Sequence, residues 1–191
     1  PFFTTVRYAA DKAPADQGHG SDWIVDHGPY SEFGDLLTLR GAQYIGAGYG
    51  IENIRGLGKT VCTNHGWGAA FRGYGRSESE FASEVLIDEL AEKLGMDPLD
   101  FRLKNTGDGD ISPLNGKPVA TLGISDCLEE GRKKFRWDER KAACKAFNEE
   151  AVRTGSPLRR GVGVSAFSLV GDYPANVEPG SARLILNQDA R

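Results

Sequence analysis

The stretch Asn53–Gly75, NIRGLGKTVCTNHGWGAAFRGYG, decides how the chain is read. Gly58, Lys59 and Thr60 look like the end of a phosphate-binding loop, but such a loop needs a glycine five residues before the GKT, between a strand and a helix. That position holds Asn53, and Thr60 leads into β-favouring VCT and then more glycine, without an amphipathic helix. GLGKT therefore reads as a turn leading into a strand. GAGYG (46–50) lacks the third glycine of a dinucleotide fingerprint and has no clean βαβ unit around it. The second half, NHGWGAAFRGYG (64–75), has two readings. It could be a backbone cradle, in which small residues let main-chain N–H groups approach an anionic ligand beside the forked donors of Arg72 and the ring of Tyr74. It could equally be a glycine-rich turn with Phe71 in the core and Arg72 in a surface ion pair.

Working outward, FFTTVRYAAD (2–11) and SDWIVDHGPY (21–30) read as a hairpin around the polar loop APADQGHG. SEFGDLLTLRG (31–41) reads as a short helical piece, and YIGAGYGIENIRGLGKTVCTN (44–64) as strands and tight turns. After the cradle, Ser77 and Glu80 are spaced as a capping box. Phe81, Ala82, Val85, Leu86, Leu90, Ala91 and Leu94 recur at helical spacing, with Gly95 as the residue that ends the helix. Asp97 and Pro98 open a second helix to about Lys104. NTGDGDISPLNGKP (105–118) is loop chemistry and the best boundary between substructures, dividing the chain into 1–115 and 116–191. A charged helical region runs from Ser125 to about Arg153, broken near Arg136–Asp138, with a solvated face. GVGVSAFSLVG (161–171) and SARLILNQD (181–189) read as two further strands. The fold class is α+β, mixed sheets with packed helices.

The chain has 191 residues, 39% hydrophobic and 26% charged, enough for a packed core. A net charge of −4 argues against a nucleic-acid binder, and no apolar run approaches the length of a membrane helix. Cys62, Cys127 and Cys144 match no zinc or iron–sulfur spacing and read as reduced, mostly structural thiols. His19, His27 and His65 stand at no ligand spacing. Both ends read as cut from a longer polypeptide.

AAFRGYG, the subsequent ESEFASEVLIDELAEKLGMDPLDFRLKN, and SDWIVDHGPYSEFGDLLTLRGAQYIGAGYGIENIRGLG resemble the molybdenum hydroxylases, the xanthine dehydrogenase and aldehyde oxidoreductase family, and most of all the aldehyde oxidoreductases of sulfate reducers. The match is strongest over 21–105. The resemblance implies an internal piece of such an enzyme, the end of its first molybdopterin-binding domain and the start of its second. It implies oxidative hydroxylation of small aldehydes to carboxylic acids. The cofactor would be a molybdopterin cytosine dinucleotide carrying molybdenum. Two [2Fe–2S] clusters, bound outside this chain, would pass electrons to an acceptor such as flavodoxin, in a cytoplasmic homodimer without nucleic acid or membrane. Ala70, Phe71, Arg72 and Gly73 match the cofactor-contacting segment. Phe33, Leu36, Arg40 and Tyr74 match the substrate pocket. No residue here matches the catalytic glutamate or ligates the metal directly, so the piece alone should be inactive. Where the family has a small residue and proline after FRGYG, this chain has Arg76 and Ser77. Two alternatives stand beside this reading: a non-catalytic binding or assembly module on the same scaffold, and a purine-hydroxylating member of the family.

Overall fold

The computed structural model describes residues 2–10, 16–30, 34–44, 46, 48–51, 53–68, 71–106, 123–167 and 181–185. Among these, three strands and five helices run in the order β1 (Phe2–Ala10), β2 (Asp16–Asp26), α1 (Gly34–Gln43), β3 (Ile54–Val61), α2 (Arg76–Lys93), α3 (Pro98–Asn105), α4 (Ile124–Phe135) and α5 (Trp137–Arg153). Phe33, Ala70 and the 107–122 stretch with most of the expected boundary loop lie outside the described residues.

The sheet is mixed. β1 and β2 form the expected antiparallel hairpin, but β2 begins at Asp16, so DQGHG is strand rather than loop. β2 and β3 run parallel, which a tight turn cannot achieve, and α1 lies on the crossover between them. Side chains alternate across the sheet. Trp23 and Val25 point to the helical side and pack with Leu37, Ala42 and Ile54, while Phe3, Ile24 and Leu57 face outward and are exposed. A second core joins Tyr49, Ile51, Ile87, Ala91 and Phe101, with Tyr8 of β1 packed against it.

The GLGKT turn is corrected: Gly58–Lys59–Thr60 lies inside β3. Gly58 stands opposite Trp23, and a Cβ there would come within 2.4 Å of Thr38 Cγ2 and 2.5 Å of the indole nitrogen. The glycine is a seat for the Trp23 ring, whose Nε1 donates to the Thr38 carbonyl of α1 at 3.2 Å.

The capping box is also corrected. Ser77 lies inside α2; the cap is Gly75 in the left-handed region, and Glu80 accepts from Arg76 Nε at 2.8 Å instead of reaching back to a backbone donor. The buried face of α2 is Ser79, Ser83, Glu84, Ile87 and Ala91, so Phe81 and Val85 are exposed. The rotation arises from a demand that apolar periodicity does not report: Ser79 and Glu84 hydrogen-bond inward, to Gly41 and Arg102. Gly95 ends α2 with φ +69, and Met96 N–H donates to the Ala91 carbonyl, as expected of a helix closed by glycine. Asp97 caps α3, accepting from Leu99 and Asp100 N–H, with Pro98 in the first turn. The break in the charged region is Arg136, φ +58, between α4 and α5.

No strand forms over 161–167 or 181–185, contrary to expectation. No neighbouring strand edge receives 161–167 among the described residues. Val162, Val164 and Ala166 instead pack on Leu99, Ile124, Leu128 and Trp137, and the Ala166 N–H donates to Glu84 Oε2 at 2.8 Å. Cys62, Cys127 and Cys144 are free thiols, the first two exposed and the last half-buried.

Candidate functional site

The site starts at Asp26, the last residue of β2. Its carboxylate accepts from Thr63 Oγ1 at 2.6 Å and from the Gly28 N–H at 2.9 Å, and Oδ2 lies 2.5 Å from His65 Nδ1. The Gly28 bond two residues on is the local turn that Asp favours. These donors, Thr63 first and then the Gly28 amide, hold the Asp26 pKa down to about 2. Backbone bonds fasten the same two segments: Thr63 N–H to Gly28 O, and Gly68 N–H to His27 O. Gly28 has φ +71, and a Cβ on it would meet the His65 and Gly66 carbonyl oxygens at 2.8 Å. Buried His27 donates through Nδ1 to the Gly68 carbonyl at 3.3 Å. The segment entering the glycine-rich stretch is thus pinned at both ends.

The loop itself is three consecutive residues at positive φ, Gly73 at 111°, Tyr74 at 46° and Gly75 at 85°. Tyr74 N–H donates to Phe71 O at 2.9 Å and Arg76 N–H to Gly73 O at 3.1 Å, so two tight turns overlap. A non-glycine residue in the left-handed region is uncommon, and Tyr74 is held there by the turns on either side. Phe71 is 86% exposed, which removes the reading that buries it in the core. Arg72 is exposed beside it, and Gly73 and Tyr74 are half-buried.

Gly75 anchors the loop to α1. A Cβ on it would stand 2.9 Å from the Gly41 nitrogen and 3.0 Å from the Leu37 carbonyl oxygen. One turn on, Ser79 Oγ donates to the Gly41 carbonyl at 2.9 Å. Leu36 and Arg40, one turn apart on α1 and both half-buried, are the sequence neighbours of these contact points. Thr38 holds α1 in turn over the sheet, its hydroxyl 2.7 Å from that of Thr60 on β3. The structure therefore joins the two halves of the expected site, the FRGYG loop and α1, through backbone contact. It places Phe71, Arg72, Gly73, Tyr74, Leu36 and Arg40, while Phe33 and Ala70 lie outside the described residues.

Asp26, Thr63 and His65 were not singled out by sequence reasoning. The Asp-His-Gly turn after an apolar strand was the available signal, but its partner lies 39 residues away.

A half-covered mixed sheet that presents a strained glycine loop, with an exposed guanidinium and ring upon it, defines a ligand-cradling α+β module. An arginine fork beside glycine backbone suits an anionic ligand. The comparisons agree. Residues 1–106 match the molybdopterin cofactor-binding domain, and the chain belongs to that family. It is 52% identical to the aldehyde oxidoreductase of Megalodesulfovibrio gigas over 166 residues, 86% of this chain and 17% of that protein. It is 37% identical to a xanthine dehydrogenase molybdenum-binding subunit of Escherichia coli over 175 residues, 91% of this chain and 22% of that protein. The solved aldehyde oxidoreductase from Desulfovibrio desulfuricans superposes with a TM-score of 0.70 at 57% identity, covering 76% of this chain and 16% of that one. The chain thus spans about a fifth of the length of the proteins it matches.

Proposed function

We propose that this chain is the part of a molybdenum-dependent aldehyde oxidoreductase that holds the pterin end of the cofactor and one wall of the substrate pocket. The observation that carries this reading is the FRGYG loop: Phe71 and Arg72 are held out from a run of positive-φ backbone that Gly75 fixes to α1. When bound, the molybdenum cofactor supplies Lewis acidity and a two-electron sink. Arg72 donates hydrogen bonds to anionic oxygen at the reacting centre. Gly73 allows close approach of the main chain. Leu36 gives the pocket an apolar side, and Tyr74 a hydroxyl with which to orient a carbonyl. Arg40 sets the charge at the pocket's edge. Phe33 and Ala70 belong to the same assignment through the segments that carry them.

The finer parts of the reading rest on the similarity to aldehyde oxidoreductases at 52% and 57% identity. They are the cytosine dinucleotide form of the cofactor, two [2Fe–2S] clusters elsewhere in the polypeptide, a redox acceptor such as flavodoxin, a homodimer and a cytoplasmic location. The division into 1–115 and 116–191 is supported by the family match ending at 106. The xanthine dehydrogenase relative at 37% identity favours a purine as the second substrate class.

The test is the full-length native protein, assayed for molybdenum and for turnover of aldehydes and purines, with Arg72→Ala beside it. The expected result is about one molybdenum per chain, aldehyde oxidation, and a loss of at least about 100-fold in kcat/KM for the variant, the scale of removing a preorganised donor. Turnover of purines alone would move the protein to the xanthine side. A native protein free of molybdenum would leave a binding module.

A further inference from the structure

Two residues of the 161–167 strap are gripped by α2 at positions about two turns apart, Arg76 and Glu84, and the grip begins at the foot of the FRGYG loop. Ala166 N–H donates to Glu84 Oε2 at 2.8 Å. Phe167 lies under the guanidinium of Arg76, 4.1 Å from carbon to ring centroid. Arg76 is the first residue of α2, directly after Gly75, and its backbone N–H donates to Gly73. Its side chain is 15% exposed, with Nε bonded to Glu80 at 2.8 Å and the Tyr44 ring of the α1 terminus 6.0 Å away on another side. Nη2 is buried with no hydrogen-bond acceptor among the described residues. An aromatic face is the partner that satisfies a desolvated guanidinium in that position. Glu84 is itself fixed, accepting from Tyr49 Oη at 2.5 Å and Arg102 Nε at 3.0 Å, so the strap docks on rigid groups.

We infer that Arg76 is a positioning residue that clips the strap to the base of the cofactor loop, with Phe167 as its counterpart. The identity of the loop's ligand rests on the function proposed above; the clip does not. Through Arg76, the strap and the loop share one anchoring point, so loosening Phe167 loosens Gly73–Arg76.

The test is hydrogen–deuterium exchange on the full-length protein as wild type, Arg76→Ser, Arg76→Lys, Phe167→Leu and the Arg76→Ser/Phe167→Leu double variant. Exchange should rise about tenfold at both 161–167 and 71–76 in each of Arg76→Ser and Phe167→Leu, with no further rise in the double variant. Arg76→Lys, which keeps the charge without the planar stack, should fall between wild type and serine. Unchanged exchange at 71–76 in Phe167→Leu, or additive effects in the double variant, would overturn the inference. Should the interior of α2 also open in Arg76→Ser, Phe167→Leu decides, because it leaves the Arg76–Glu80 pair in place. Exchange needs no bound metal, so a protein without molybdenum would defeat the proposed function and leave this test intact.

Discussion

Gly75 and Gly41 meet backbone to backbone: the position of a Cβ on Gly75 lies 2.9 Å from the Gly41 nitrogen. With φ at +85°, Gly75→Ala adds both a strained conformation and a clash that neither backbone can relieve. The expected cost is about 2–4 kcal/mol. It should appear as a lower denaturant midpoint in the full-length protein, together with proteolytic sensitivity at 71–76.

Gly58→Ala should fail for a different reason. Its backbone is ordinary strand, but the new methyl would enter the space of the Trp23 ring and Thr38 Cγ2. The expected loss is about 1–3 kcal/mol, the scale of an overpacked core. A changed Trp23 emission would locate it, whereas Lys59→Ala, on the exposed side of the same strand, should leave stability unchanged.

His19 predicts a pH dependence. Its ring is buried, 4.2 Å from that of Tyr8, and burial lowers its pKa from 6.5 to about 4. The folded state therefore resists the proton that the unfolded state takes up. Its full contribution is present above pH 6.5 and erodes as the pH falls from there toward 4, by a total on the order of 3 kcal/mol. His19→Phe should flatten the stability profile over this window; an unaltered slope would place the titrating group elsewhere.

Asp26 has the same sign in a lower pH window. Its lowered pKa gives stability that is complete above about 4 and is lost as the pH falls toward 2. At neutral pH, Asp26→Asn should release His65 and raise amide exchange over 63–68, with α5 unaffected. Retained protection at 63–68 would show that the backbone bonds alone suffice.

Arg102→Met should cost about 3–5 kcal/mol, because it strands the Glu84 carboxylate that accepts from the guanidinium at 2.9 Å in a buried setting. Denaturant unfolding of the variant measures this. A loss below about 1 kcal/mol would mean that Tyr49 and the Ala166 amide satisfy Glu84 unaided.

Local chemistry was legible where it was self-contained. Asp97–Pro98, Gly95 and the break at Arg136 were readable because cap and helix lie within a few residues of each other. The resemblance carried FRGYG. What stayed hidden depended on partners far along the chain. The burial of Glu84 needs Arg102, 18 residues on, so the apolar spacing of Phe81 and Val85 pointed to the wrong face of α2. Gly58 took its meaning from Trp23 across the sheet. The expected strands at 161–171 and 181–189 are β-favouring by composition, but ladder partners are a property of the whole fold.

The parallel pairing of β2 with β3 also sets an order of assembly. A hairpin such as β1–β2 can close locally, but β3 reaches β2 only after the crossover bearing α1 has been folded over, at a higher loop-closure cost. The Gly41 surface that receives Gly75 is built by that same step. The FRGYG loop then acquires its shape only after the sheet is complete.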